Sequence, residues 1–377
     1  MGKRTEFLYM SEPDVIKAGV LDVKRCVNNA EEVFKLLVQG DYLMGGNNHN
    51  NHGMYIVFPK DTSFPNMPVA GPDRRFVAMP AYLGGRFDLC GQKWYGSNAE
   101  NKKAGLPRSV LMLTLNNKST GEPLAYMSAN LISAARTGAV PAVGARYLAR
   151  KDSKILALVG CGPIGKACFE AIITELPNVG KVICHNRSEA KAVSLASYIK
   201  KNYGLNAAVE NDLESAAREA DVISVAASRT APLHFKHEWI KPGCTLLASG
   251  PLQCDETLWM DTDIVYDHIG LHQAYVEEAI ESGDKDEYYN GVIGGPIYRL
   301  IDAGRKPALD DSISIGQVIT GEKQGRISDK QIICFVSCGM SVFDLGLGYD
   351  LYRTALEKGI GQKLLLWESP KQCEENE

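Results

Sequence analysis

An α/β protein is expected here, with a doubly wound parallel sheet in the second half of the chain, and three observations point to it. The apolar run Leu156-Ala157-Leu158-Val159 breaks into Gly160-Cys161-Gly162-Pro163-Ile164-Gly165 and continues as a helical stretch from Lys166 to Leu176. From Lys154 to about Leu271 apolar strands alternate with helices, the signature of a parallel sheet covered on both faces. The residues before Lys154 instead read mainly as strands and hairpin turns, so a second, β-rich unit precedes the sheet.

In chain order, a helix is expected at Ala30 to Gln39, then strands at Phe76 to Met79 and Val110 to Leu115. Asn116-Asn117-Lys118-Ser119-Thr120-Gly121 is a turn leading to a strand at Leu124 to Ser128, and a helix from Ser133 to Arg150 leads into the parallel unit. There the strands are the run before Gly160, Lys181 to Cys184, Val222 to Ala226, Thr245 to Ser249 and Ile264 to Asp267. In the tail, Ser328-Asp329 reads as a cap ahead of apolar runs, a long helix passes through Asp350 to Lys358, and the polar end Cys373 to Glu377 is expected to fray.

Composition narrows the function classes. The chain has 377 residues, 45% hydrophobic and 23% charged, with a net charge of −4 and a pI near 6.0. It carries no basic footprint for nucleic acid or anionic lipid. No stretch reaches transmembrane length and the first residues lack a signal-peptide core, so a cytoplasmic enzyme is expected. Ten cysteines are scattered through apolar runs with no C-x-x-C, as expected of reduced, mostly buried thiols. The pairs His49/His52, His234/His237 and His268/His272 have ligand-like spacing but no local third ligand, so no metal is expected. Gly45 to Gly53 reads as a polar loop in which His52 is a candidate pocket residue.

The glycine loop carries the first chemistry. Gly160 permits the tight bend, Gly162 lets the backbone approach a pyrophosphate, and Gly165 lets helix pack on strand. With Pro163 and Ile164 these form a dinucleotide-binding motif of the Rossmann type, in the strand–turn–helix–strand context the motif requires. An NAD-preferring site usually has an acid about 20 residues further on. This chain has His185-Asn186-Arg187-Ser188. Arg187 suits a 2′-phosphate, with Asn186 and Ser188 as further donors, so NADP(H) is favoured over NAD(H).

Three more segments join the loop in an ordered set: Gly91-Gln92-Lys93-Trp94 with Gly105-Leu106-Pro107; Ile132-Ser133-Ala134-Ala135-Arg136-Thr137-Gly138-Ala139; and Thr320-Gly321-Glu322 with Phe343-Asp344-Leu345. Together they resemble the ornithine cyclodeaminase and mu-crystallin family from about Met54 to Trp367. The resemblance implies a homodimer. It implies a substrate-binding and dimerisation domain built from both chain ends, 1–132 with 320–377, and a dinucleotide domain at 133–319. It further implies a small amino- or imino-acid substrate lying between them, its α-carboxylate held by Lys93 and Arg136. Charge-assisted hydrogen bonds of that kind contribute about 1.5–3 kcal/mol each. A desolvated Lys93 beside Arg136 also suits general acid or base catalysis. The family's third cation, in a Pro-x-Arg pattern, has only Pro59-Lys60 in its region, with Arg74 and Arg75 nearby.

The resemblance has one consequential break. Ornithine cyclodeaminases are implied to carry a catalytic aspartate where this chain has Gly250, and Asp255 is the next carboxylate along. Its absence favours an NADP(H)-dependent oxidoreductase, either a ketimine reductase or an opine-like dehydrogenase, over an ammonia-releasing cyclodeaminase or a non-catalytic binding protein.

Overall fold

The computed structural model describes residues 2–227 and 233–373. The frayed end expected at Cys373 to Glu377 lies, beyond Cys373, outside the described residues. Contacts divide the chain into two compact units. The first takes the chain up to Asp22, Gln39–Arg136 and everything from Met340; the second takes Val23–Val38 and Thr137–Gly339.

The first unit is built on an eight-stranded, mostly antiparallel sheet. Its strands are β1 (Thr5–Met10), β2 (Tyr42–Met44), β3 (Met54–Val57), β4 (Arg75–Leu83), β5 (Leu89–Ser97), β6 (Ser109–Asn117), β7 (Pro123–Ser128) and the C-terminal strand Gln362–Trp367. That last strand pairs antiparallel with β1, which runs parallel to β7, so both chain ends enter one sheet. Period-two alternation puts Val77, Met79, Ala81 and Leu83 of β4 on the buried face. Lys93, Tyr95 and Ser97 of β5 share it through the pairs Met79–Lys93, Val77–Tyr95 and Arg75–Ser97. The helix Ser341–Lys358 packs on this face against β4, β5 and β6. Close approach is set by Gly348, where a Cβ would stand 2.4 Å from Leu113 Cδ2.

The second unit holds an eight-stranded parallel sheet. Its order is Asn206–Val209, Lys181–His185, Ile155–Val159, Val222–Val225, Thr245–Ala248, Ile332–Val336, Thr262–Tyr266 and Ile313–Ser314. The strands are buried on nearly every residue, as expected where helices cover both faces. The doubly wound α/β architecture expected from the sequence is therefore present.

Two boundaries differ from the expected ones. The second unit reaches Gly339 instead of ending at 319, because Ile332–Val336 hydrogen-bonds between Thr245–Ala248 and Thr262–Tyr266. The early helix runs Val23–Gln39 and packs within the second unit, with Phe34 edge-on to Phe335 at 6.5 Å and Glu31 paired with Arg146. Its buried positions Cys26, Val27, Ala30, Val33, Phe34 and Leu37 follow helical spacing. Among the described residues no helix is long and apolar enough to cross a membrane.

Candidate active site

In the first unit the fold joins Lys93 and Arg136, the two cations singled out in the sequence, through a third residue. Lys93 sits mid-strand in β5 between the fully buried Met79 and Leu113. Its Nζ donates to Asp344 Oδ2 at 2.8 Å, and both side chains are almost inaccessible, at 2% and 0% exposure. Arg136, on the helix Asn130–Leu148, brings Nε within 3.2 Å of the same oxygen, and its Nη2 donates to Ser133 Oγ at 3.4 Å. Burial and the like charge of Arg136 pull the Lys93 pKa down to about 8, with Asp344 pulling the other way. An ammonium in this position exchanges its proton near neutral pH, which an exposed lysine does not.

Asp344 belongs to a segment quoted for the family pattern, but the sequence suggested no role for it. The available signal was a lone acid in the apolar run Phe343-Asp344-Leu345-Gly346-Leu347, which becomes a fully buried stretch of helix. A buried carboxylate facing two cations leaves one unit of positive charge over, which suits an anionic ligand.

His52, Lys60 and Arg75 also belong to the first unit. His52 stacks on Tyr55, with ring centroids 6.3 Å apart. Lys60 is exposed in the loop after β3. Arg75 stands on the same sheet face as Lys93 and Tyr95. Burial pushes the Tyr95 hydroxyl up while Arg75 and Arg136 pull it back, so both arginines lie within electrostatic reach of that ring.

In the second unit the glycine loop adopts the conformation its sequence requires. Gly160 has φ 109°, where a side chain is strained, and a Cβ there would meet Ala226 and Ala227 at 2.7 Å. A Cβ at Gly165 would lie 1.8 Å from the Gly160 carbonyl oxygen, whereas Gly162 faces open space. Gly162 caps the helix Pro163–Glu175, with Pro163 at its first position and Ile164 half-buried. A loop closed by glycine on the protein side and open at a helix N-terminus fits a dinucleotide pyrophosphate.

Past the next strand, Asn186 accepts from the Cys161 N–H at 3.1 Å and donates to the Ser188 carbonyl at 2.9 Å. Its amide thus helps to hold the loop, with one of the two Nδ2 hydrogens left for a further acceptor. Arg187 and Ser188 are exposed beside it, Ser188 capping the helix Glu189–Tyr203.

The aspartate break also has a structural reason. Gly250 is buried, and a Cβ there would come within 2.8 Å of the Ala227 carbonyl oxygen. Asp255 accepts backbone N–H groups from Leu258 and His237 at 2.8 and 3.0 Å, which makes it a helix cap. Asp267, His272 and Cys338 present possible ligand atoms within 4.8 Å of one another. Asp267 accepts from His272 Nε2, His268 N and Cys338 N at 2.9, 2.8 and 2.7 Å, which ties the ends of two strands together.

The family model for the ornithine cyclodeaminase/mu-crystallin family matches residues 20–359. A Delta(1)-pyrroline-2-carboxylate reductase of Bacillus cereus is 31% identical over 299 residues, 79% of this chain and 87% of the relative. An alanine dehydrogenase of Archaeoglobus fulgidus is 30% identical over 364 residues, 95% and 98% of the two chains. Among solved structures, an archaeal alanine dehydrogenase dimer with bound NAD superposes with a TM-score of 0.76 at 28% identity, covering 96% of this chain and 100% of the other. These relatives are oxidoreductases of imino and amino acids, and the match spans both units. The chain belongs to the ornithine cyclodeaminase/mu-crystallin family.

Proposed function

We propose that this chain is a nicotinamide-dependent oxidoreductase that interconverts an imino acid and the corresponding amino acid, with NADP(H) preferred. The observation that carries this is the buried Lys93–Asp344–Arg136 set, with a lysine whose pKa is about 8. When bound, the reduced nicotinamide supplies a hydride to the imine carbon, and one proton at nitrogen completes the amine. Arg136 holds the α-carboxylate and so fixes the orientation of the reacting carbon. Lys93, as ammonium, donates the proton to nitrogen; as amine, it accepts the proton in the reverse direction. Asp344 keeps both cations in place and favours the charged form of Lys93.

Cyclodeamination needs a further carboxylate, and the backbone around Gly250 leaves no room for one. In this scheme the first unit binds substrate and the second binds the dinucleotide. A homodimer follows from the resemblance, and the exposed apolar strands Met54–Val57 and Gln362–Trp367 are edges of the kind a second copy would cover.

The test is nicotinamide absorbance with the full chain, NADPH and NADH side by side, and a panel of cyclic ketimine acids and keto-acid plus amine pairs. NADPH consumption is expected. Ammonia released from ornithine with no nicotinamide consumed would overturn the proposal in favour of the lyase. Arg187→Ala is expected to weaken NADPH by about 10- to 100-fold, the equivalent of one charge-assisted contact, and NADH by less than about threefold. Equal effects on the two cofactors, read by fluorescence titration, would remove the NADP(H) preference.

A further inference from the structure

We infer that Asp267, His272 and Cys338 form a binding site for a divalent transition metal of the zinc class, with one coordination position left open. The site is independent of the oxidoreductase proposal, and its test needs no turnover.

The histidine spacings alone argue against a metal, because no pair has a third ligand nearby in the chain. The fold brings one in. Cys338 stands 71 residues beyond Asp267, and its backbone N–H donates to Asp267 Oδ2 at 2.7 Å. Asp267 and Cys338 follow the adjacent parallel strands Thr262–Tyr266 and Ile332–Val336 at their carboxyl ends. His272 comes from the first turn of the helix Ile269–Glu281, whereas His268, its partner in the spacing, caps that helix and is not one of the group.

A carboxylate oxygen, an imidazole nitrogen and a thiol sulfur thus lie within 4.8 Å of one another. In a tetrahedral zinc site, with bonds of about 2.0–2.3 Å, the ligand atoms stand about 3.3–3.8 Å apart, so the group closes by about 1.5 Å at most. Asp267 and His272 are 1% and 0% exposed. Cys338 is only half-buried and lies outside any disulfide, so the closing motion falls to the side chain nearest solvent. Nitrogen, oxygen and sulfur donors together suit zinc over magnesium or calcium, which prefer oxygen alone.

The neighbouring hydrogen bonds accommodate an ion without being dismantled. Asp267 Oδ1 accepts from His272 Nε2 and His268 N, and Oδ2 accepts from Cys338 N. A carboxylate has about four lone-pair positions, so one on Oδ2 remains for a cation. His272 Nδ1 lies 2.5 Å from the hydroxyl of the buried Tyr298, a group that both donates and accepts. With the ring hydrogen on Nε2, Tyr298 donates to Nδ1; with a metal on Nε2, the hydrogen sits on Nδ1 and Tyr298 accepts it. Ligating imidazoles are oriented through their far nitrogen in this way. On binding, the Cys338 S–H bond breaks, its sulfur bonds the metal, and one proton passes to solvent with no change of oxidation state.

The experiment is titration of the full chain, stripped of metal by a chelator and kept reduced by a phosphine, with Co²⁺ and then Zn²⁺. Equimolar Co²⁺ is expected to give visible d–d absorption with a near-ultraviolet thiolate-to-cobalt band, both removed by Zn²⁺. Cys338→Ser should abolish the thiolate band, while serine at Cys90 and Cys373, the other two thiols that are not buried, should leave it unchanged. Tyr298→Phe is expected to weaken Zn²⁺ by about 10- to 100-fold, the range for losing the group that orients a ligating imidazole, and His272→Gln by more. Zn²⁺ should also raise the denaturant midpoint of the unaltered chain and not that of Cys338→Ser. Absence of a thiolate band, or a band that persists in Cys338→Ser, overturns the site. Unchanged Zn²⁺ affinity in both His272→Gln and Tyr298→Phe leaves no imidazole ligand and overturns it too.

Discussion

Lys93→Met is expected to lower kcat/KM for imine reduction by about 10²- to 10⁴-fold, the range for removing a positioned general acid. Methionine keeps an unbranched stem of similar size between Met79 and Leu113, and Asp344 retains Arg136, so loss of fold is not the expected cause. The pH profile separates the acid from a mere binding charge. With a pKa of about 8, the ammonium is depleted as pH rises through that value. Reductive kcat/KM should therefore fall above about pH 8, and the oxidative direction should rise through the same point. Lys93→Arg keeps a charge that does not titrate in this range and should abolish that limb. Full activity in the Met variant, or an unaltered limb in the Arg variant, would show that the titrating acid lies elsewhere.

The same shift carries a stability consequence with a definite sign. Lys93 titrates at about 8 in the folded chain and at about 10.4 when unfolded. Between these values the unfolded state binds the extra proton, so stability from this group rises with pH across the window and is flat below it. Lys93→Met should remove that slope from the pH dependence of denaturant unfolding.

Asp344→Asn is expected to be the most destabilising conservative change in the first unit, at about 3–5 kcal/mol, because it leaves two buried cations without their shared carboxylate. Its second effect is electronic. Asp344 holds the Lys93 pKa up against burial and the charge of Arg136, so removing its charge should move the pH limb of reduction below 8. Denaturant unfolding reads the first effect and the pH profile of kcat/KM the second. A loss below about 1 kcal/mol together with an unmoved limb would mean that Lys93 is not coupled to Asp344 in solution.

Legibility in the sequence followed the range of the interactions involved. The strands flanking Gly160 and the helix after it were readable because turn geometry and apolar periodicity act over a few neighbouring residues. The strands Thr5–Met10 and Gln362–Trp367 were not, since neither has a hairpin partner nearby and each finds the other across the length of the chain. Ser328-Asp329, which has the composition of a helix cap, instead precedes the strand Ile332–Val336, because neighbouring strands on both sides offered backbone hydrogen bonds there.

By itself the sequence determined the α/β class, the dinucleotide loop, and the choice of Lys93 and Arg136 as the cations of interest, all through residue types whose effect is local or whose order forms a pattern. Only the tertiary structure decided that the two cations share Asp344, which stands 251 residues beyond Lys93 and 208 beyond Arg136. It also decided that Asn186 braces the glycine loop, that Gly250 has no space for a side chain, and that Arg75 faces the same sheet surface as Lys93. Hydrogen bonding and desolvation between residues far apart in the chain depend on how sheets and helices pack, and no local pattern of residues encodes that packing.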